Sequence, residues 1–141
     1  MKITIYSIRK TTFLTCALHK VNKTDNTIKR GHETESFACD FLKRQGLKFV
    51  ERNFRCRYGE IDLIMREKDT LVFVEVRYRT NNHYGGAASS ITPAKQKRLR
   101  TTAEIYLQKT ANINSNVRFD VVALTNNTSE QFDIEWIKNA I

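Results

Sequence analysis

Asp62 and Glu75 lie in a stretch, Gly59 to Arg79, that reads GEIDLIMREKDTLVFVEVRYR. The pattern predicts two strands joined by a polar turn, Glu67-Lys68-Asp69-Thr70. Side chains alternate faces along a strand. Val72, Val74, Val76 and Tyr78 then share one face of the second strand, and Leu71, Phe73, Glu75, Arg77 and Arg79 share the other. On the first strand Ile61, Leu63 and Met65 fall together, opposite Glu60, Asp62 and Ile64. If Arg66 and Leu71 close the turn, Asp62 lies directly across from Glu75 and Glu60 across from Arg77. Like charges directly opposite on neighbouring strands are destabilising, and a cation between them reverses that sign. Two converging carboxylates are what a hard divalent metal such as Mg²⁺ or Mn²⁺ takes, with water and phosphate completing its shell. Such a metal activates water for phosphodiester hydrolysis. The Val76 carbonyl is a candidate further ligand. Arg77, on the Glu75 face, is placed to hold a phosphate. Purely structural neutralisation of Glu60, Asp62 and Glu75 by Arg77 and Arg79 is the competing reading.

The elements around this hairpin decide what can join it. His32 to Arg44 predicts a helix with Phe37, Ala38, Phe41 and Leu42 on its apolar face. Glu35 falls at the edge of that face, and Gly46 is a stop signal. An ordinary first-turn acid, favoured by the helix dipole, is the alternative for Glu35. Leu47–Arg57 predicts a strand anchored by Phe49, Val50 and Phe54 and carrying Lys48, Arg52, Arg55 and Arg57. Thr80–Ser90 reads as a loop able to close over a duplex. Thr92-Pro93 is a helix start, a hydroxyl cap followed by proline at the first position. That helix runs to about Thr110 with Leu99, Ala103, Tyr106 and Leu107 buried. Lys95, Lys97 and Arg98 crowd its first turns, where backbone N–H groups also favour phosphate. Arg118–Thr125 and Phe132–Trp136 read as strands, and Ile137–Ile141 as a terminal turn. The order of elements predicts an α/β fold, a mixed sheet flanked by helices.

Whole-chain properties bound the partners. At 141 residues the chain is one domain's length, and its net charge of +9 with a pI of about 9.7 suits an anionic partner such as nucleic acid. Residues 1–30 hold seven Lys/Arg against one Asp. They are read as a basic, poorly ordered extension with a short strand near Ile3–Ile8, and residues 31–141 as the domain. Lys2, Arg9 and Lys10 before Thr11–Leu18 imitate a secretory leader, but the apolar core is short and broken by threonines. Cys16, Cys39 and Cys56 form no metal spacing and no even disulfide set. Free thiols in a reducing, cytoplasmic compartment are the simplest reading. His19, His32 and His83 are scattered, which argues against a zinc site or a histidine triad. No apolar run reaches a membrane span.

The chain resembles the YraN family of small bacterial proteins, and through it the restriction-endonuclease-like fold with its Asp…Glu-x-Lys site. The resemblance covers about Gly31 to Trp136. It rests on Gly31, Glu35 and Ala38, on Arg52-Asn53-Phe54-Arg55, on GEIDLI (Gly59–Ile64) and VFVEVRYR (Val72–Arg79), and on GGAA (Gly85–Ala88), Lys95-Gln96 and RFDVV (Arg118–Val122). It implies a three-layer domain and a metal-dependent, Holliday-junction-resolvase-like endonuclease. Glu35, Asp62, Glu75 and Arg77 match the catalytic positions, with Asp62 and Glu75 holding Mg²⁺ or Mn²⁺. Arg55, Arg79, Lys95, Lys97 and Arg98 are the expected nucleic-acid contacts. DNA is the expected partner, branched or flapped structures are the substrates suggested by analogy, and a homodimer is a further expectation. The pattern has lysine where this chain has Arg77, and arginine does not give up its proton. A nucleic-acid-binding module with a vestigial, non-cleaving site is therefore the alternative.

Overall fold

A computed structural model of the chain describes residues 4–8, 23–79, 91–126 and 132–141. Eight elements follow in order: β1 (Thr4–Ile8), α1 (Lys23–Arg44), β2 (Lys48–Cys56), β3 (Gly59–Glu67), β4 (Thr70–Arg79), α2 (Pro93–Lys109), β5 (Asn116–Asn126) and β6 (Phe132–Lys138). The strands form one six-stranded sheet in the order β1-β6-β5-β4-β3-β2. Only β4 and β5 run parallel, and α2 makes the crossover that parallel pairing requires. The result is a three-layer α/β domain of restriction-endonuclease-like form.

Each helix covers one face. Ala38, Phe41 and Leu42 of α1 are buried with Leu63, Met65, Val72, Val74, Val122, Leu124 and Trp136. Leu99, Ala103 and Tyr106 of α2 are buried with Ile61, Ile64, Leu71 and Phe73. The alternation expected for β4 is therefore the observed one. The α1 C-terminus closes as expected, with Gly46 at φ +92° and the Leu47 N–H donating to the Leu42 carbonyl at 3.1 Å. At the other helix Thr92 caps α2, its hydroxyl accepting from the Lys95 N–H at 3.3 Å, and Pro93 takes the first position.

Other expectations shift. α1 starts at Lys23, well before His32, while the short strand expected near Ile3–Ile8 is present as β1 and pairs antiparallel with β6. Both fall within the stretch read as an extension; residues 9–22 lie outside the described residues, as do Gly85–Ala88 and most of the loop before Thr92. Ile137 and Lys138 belong to β6, because Ile137 pairs with both Ile5 and Val121. Phe49 and Val50 are 41% and 37% exposed, since β2 is an edge strand with a bulge between Phe49 and Glu51. Lys43 and Arg52 each lie 5.5 Å from the centre of the Phe49 ring and partly cover it. Of the three proposed anchors only Phe54 packs inward, edge-on to Tyr106.

The largest departure is at Ile61. It joins the α2 layer, whereas Leu63 and Met65 join the α1 layer. The parity of β3 reverses across Asp62. The cause is in β2. Asn53, the residue between the Arg52–Leu63 and Phe54–Ile61 pairs, has φ +55°. A left-handed residue turns the strand, so Arg52 reaches Ser36 on α1 while Phe54 packs on Tyr106 of α2. Asparagine tolerates this conformation better than other side chains do. Asn53→Gly should leave stability within ~0.5 kcal/mol of wild type, whereas Asn53→Val should cost ~1–2 kcal/mol. Urea denaturation checks this, and equal costs for both substitutions would contradict it.

Candidate active site

The reversal in β3 opens the sheet. β3 and β4 pair from Glu67–Thr70 to Leu63–Val74, in the register expected from the turn. Beyond that point β3 continues only with β2 and β4 only with β5. The two central strands fork at Asp62 and Glu75. There the Val76 N–H donates to Asp62 Oδ2 at 2.7 Å, so a side chain takes the place of the backbone ladder.

The fork gathers charge. Glu75 is 5% exposed. Its Oε1 accepts the ammonium of Lys95, at 2.6 Å, and lies 3.2 Å from Arg77 Nε. That guanidinium nitrogen makes an ion pair without a hydrogen bond, and the second oxygen, Oε2, is buried with no partner. Glu35 reaches the site from α1. It lies 3.9 Å from His32 Nδ1, and its Oε2 is likewise buried without a hydrogen bond. Burial pushes Asp62 up to about 7, and the charges of Glu75 and Glu35 push the same way, against the Val76 N–H and Lys95. The four residues expected at the site, Glu35, Asp62, Glu75 and Arg77, thus form one electrostatic unit.

Two expectations change. Glu60 does not face Arg77; the strands have already parted, and Glu60 turns to β2, where Arg55 Nε is 3.1 Å away. Lys95, expected among the outer phosphate contacts, instead docks on Glu75. No local signal predicts that, because it depends on how the crossover helix settles over the sheet. The remaining basic candidates stay outside this contact. Lys97 and Arg98 are exposed on α2, Arg55 is exposed on β2, and Arg79 is half-buried near the end of β4, in register with Thr125. Asn53 was also not singled out as a positioning residue. Asparagine inside a strand-like run with flanking apolar anchors was its only signal.

The donor set is one of hard oxygens, which suits Mg²⁺ or Mn²⁺ and not a thiol-seeking metal. Among the described residues no three His, Cys, Asp or Glu side chains come together as a group that could hold a metal ion. Magnesium sites normally need only one or two carboxylates, the rest being water and phosphate. The Oε2 atoms of Glu75 and Glu35, buried and without a hydrogen bond, are acceptors of the kind a cation satisfies.

A family model, "Uncharacterised protein family UPF0102", matches residues 34–124. The chain belongs to UPF0102. The match spans Glu35, Asp62, Glu75, Arg77 and Lys95. The UPF0102 protein of Nitrosomonas europaea is 51% identical over 111 residues, covering 79% of this chain and 92% of its own. A UPF0102 protein of Nitrosococcus oceani is 46% identical over 112 residues, with 79% and 90% covered. One from Vibrio vulnificus is 50% identical over 113 residues, with 79% and 90% covered. Among the described residues of this UPF0102 chain, no helix is long and apolar enough to cross a membrane.

The raised Asp62 makes a stability prediction. An unfolded chain loses the Asp62 proton near 3.8, but the folded site keeps it to about 7. The stabilisation from that retained proton is therefore complete below the unfolded value and is lost as pH rises through 7. Asp62→Asn, which keeps an oxygen for the Val76 N–H, should flatten this dependence. Relative to wild type it should gain on the order of a few kcal/mol between about pH 4 and pH 8. Denaturant unfolding across that range checks it, and parallel pH profiles for the two proteins would contradict it.

Proposed function

We propose that this UPF0102 protein is a divalent-cation-dependent endonuclease that hydrolyses phosphodiesters of nucleic acid, with DNA as its substrate. The observation that carries the reading is the pair of buried carboxylate oxygens without a hydrogen bond, Oε2 of Glu75 and Oε2 of Glu35, beside Asp62. Asp62 and Glu75 Oε2 would hold the Mg²⁺ or Mn²⁺, with Glu35 as the third acid. When bound there, such a cation would supply Lewis acidity to the phosphate and a lowered pKa to a water. The protein's own residues do the rest. Glu75 divides its two oxygens, Oε1 to the cations and Oε2 to the metal side. Arg77 offers a guanidinium to a non-bridging phosphate oxygen. Lys95 takes the part that Arg77 cannot, since a lysine amine is able to give and receive a proton. Asp62 must be ionised to ligate, so metal binding would release its proton and should weaken as the pH falls.

The second reading, a nucleic-acid-binding module that does not cut, draws on Arg77 in the lysine position and on the Lys95 ammonium already seated on Glu75. The two separate cleanly. With a panel of branched, flapped and single-stranded DNA in Mn²⁺ or Mg²⁺, Asp62→Asn and Glu75→Ala should each reduce cleavage by ~100-fold or more. Binding in the absence of metal should largely survive. Mn²⁺ at a hundred times its Kd should stabilise wild type by about 2.7 kcal/mol in thermal or denaturant unfolding. Glu75→Ala should lose that response. A wild type without metal response or cleavage would leave the binding module.

Lys95 has its own test. Lys95→Arg preserves the charge on Glu75 but not the ability to exchange a proton. It should keep substrate KM near wild type and lower kcat by ~10- to 100-fold. A Lys95→Arg with wild-type kcat would restrict Lys95 to neutralising Glu75.

A further inference from the structure

A cleft of about 420 Å³ opens beside the acids, between the β2–β3 turn and the first turns of α2. Arg55, Tyr58, Lys95 and Arg98 line it together with Cys56 and Leu99. Its charge is lopsided. Three cations and one acid line it; Arg55 pairs with Glu60 at 3.1 Å and Lys95 with Glu75 at 2.6 Å, which leaves the exposed Arg98 as the surplus charge. Its other walls are aromatic and apolar. The Tyr58 ring is 43% exposed, and the Arg57 guanidinium lies 4.6 Å from its centre while donating to its hydroxyl at 2.6 Å. Cationic groups beside a flat aromatic surface are how proteins hold unstacked nucleotides, with phosphate on the cations and base on the ring. The volume suits one small ligand-sized group and is too small for a base pair still inside its duplex.

Lys95 links the cleft to the site, because it lines the one and reaches Glu75 of the other. We infer that the cleft receives one unpaired nucleotide of the substrate strand, next to the phosphodiester presented to Asp62 and Glu75. Tyr58 stacks on the base, and Arg55 and Arg98 hold the flanking phosphate. The substrate class is then nucleic acid with unpaired nucleotides at the cutting point, such as an overhang, a flap or an open branch. The position beside the scissile bond rests on the nuclease reading; the nucleotide site itself does not.

Cys56 provides the reporter. Its thiol lies in the cleft wall, where the Tyr58 N–H donates to the sulfur at 3.4 Å and Thr102 Oγ1 is 3.7 Å away. Burial raises this thiol, but the contacts from Tyr58, Thr102 and Gly59 and the charge of Lys109 outweigh that and leave it below the ordinary value. Cys39, 1% exposed, is an internal control. Alkylation by iodoacetamide is followed by mass mapping of the Cys56 peptide, with the full chain in EDTA so that no cleavage intervenes. The probes are oligothymidylate, a duplex with a single-stranded overhang, a blunt duplex and thymidine monophosphate. The oligonucleotide and the overhang should slow alkylation of Cys56, and the blunt duplex should not. Tyr58→Ala should weaken overhang binding by roughly 5- to 100-fold with little change for the blunt duplex. Equal protection by the blunt duplex, or none by any probe, would overturn the inference. Protection by thymidine monophosphate as strong as by the strand would also overturn it, in favour of a free-nucleotide site. If Cys56 is protected but no substrate is cut in Mn²⁺, the nuclease reading fails and the nucleotide site stands. If DNA is cut without protection of Cys56, the reverse holds.

Discussion

The hydrogen bond from the Val76 N–H to Asp62 Oδ2 is the constraint on which the site depends. A central strand pair cannot simply stop, because buried backbone donors without partners are costly. Here a carboxylate substitutes for the missing backbone acceptor, and so β3 and β4 can part while both remain in the sheet. Asn53 makes this possible from the neighbouring strand. Its left-handed backbone reverses the parity of β2 opposite Asp62, which sends Ile61 to the α2 layer and Leu63 to the α1 layer. Asp62 stands at the reversal, and its carboxylate reaches β4. Glu75, one residue past the last β3–β4 pair, then faces a gap and not a strand.

The same sheet shows what a structural acid looks like. Asp120 on β5 has a fully buried side chain, and each oxygen is accounted for. Arg118 donates to both, at 2.9 and 3.0 Å, the Trp136 indole N–H donates at 3.1 Å, and the Asn139 N–H closes the set at 2.9 Å. Arg118 also reaches Glu67, which Lys138 joins at 3.2 Å, and the two hold the Glu67 carboxyl below its usual range despite partial burial. Every charge in that network is answered. At the fork the cations gather on one oxygen of Glu75 while Oε2 has none, Glu35 Oε2 has no hydrogen bond, and Asp62 is pushed up to about 7. Buried carboxylate oxygens left in that state are expensive, and ion pairing alone gives no reason to keep three acids together. The contrast within one protein weighs against a purely structural cluster.

The hairpin was legible because strand periodicity and turn length specify register together. A two-residue turn at Lys68-Asp69 and an alternating β4 leave little freedom for where Glu75 falls. The helix boundaries with strong chemistry, Gly46 and Thr92-Pro93, were legible for the same local reasons. What escaped was non-local. Phe49 and Val50 look like anchors in sequence, but only the strand order reveals that β2 is an edge. Lys95 and Lys97 differ by two positions in a basic run, and nothing in that run says that one meets Glu75 and the other faces solvent. The answer lies in the docking of α2, set by Leu99, Ala103 and Tyr106 against Ile61 and Phe73. Strict alternation, applied to β3, also misplaced Ile61, since one left-handed residue on the partner strand is enough to break it.

That docking bears on the difficulty raised by Arg77. In a site where one residue must both neutralise and exchange a proton, arginine in place of lysine would be disabling. On the nuclease reading proposed above, the two duties would fall on different elements. Arg77 comes from β4 itself, two residues after Glu75, and so its position is tied to the acid it neutralises. Lys95 comes from the first turn of the crossover helix, at 2.6 Å from the same oxygen. A helix end is free of the pleat and can bring a long side chain across the gap that the fork leaves. Gly59, at the start of β3, lets this happen closely: a Cβ there would stand 3.2 Å from Thr102 Oγ1 and 3.7 Å from Arg98 Cβ. A larger residue would press against α2 beside the turn that carries Lys95. The glycine that opens the GEIDLI stretch and the lysine on the following helix are thus parts of one packing arrangement, and the fork supplies the space in which it acts on Glu75.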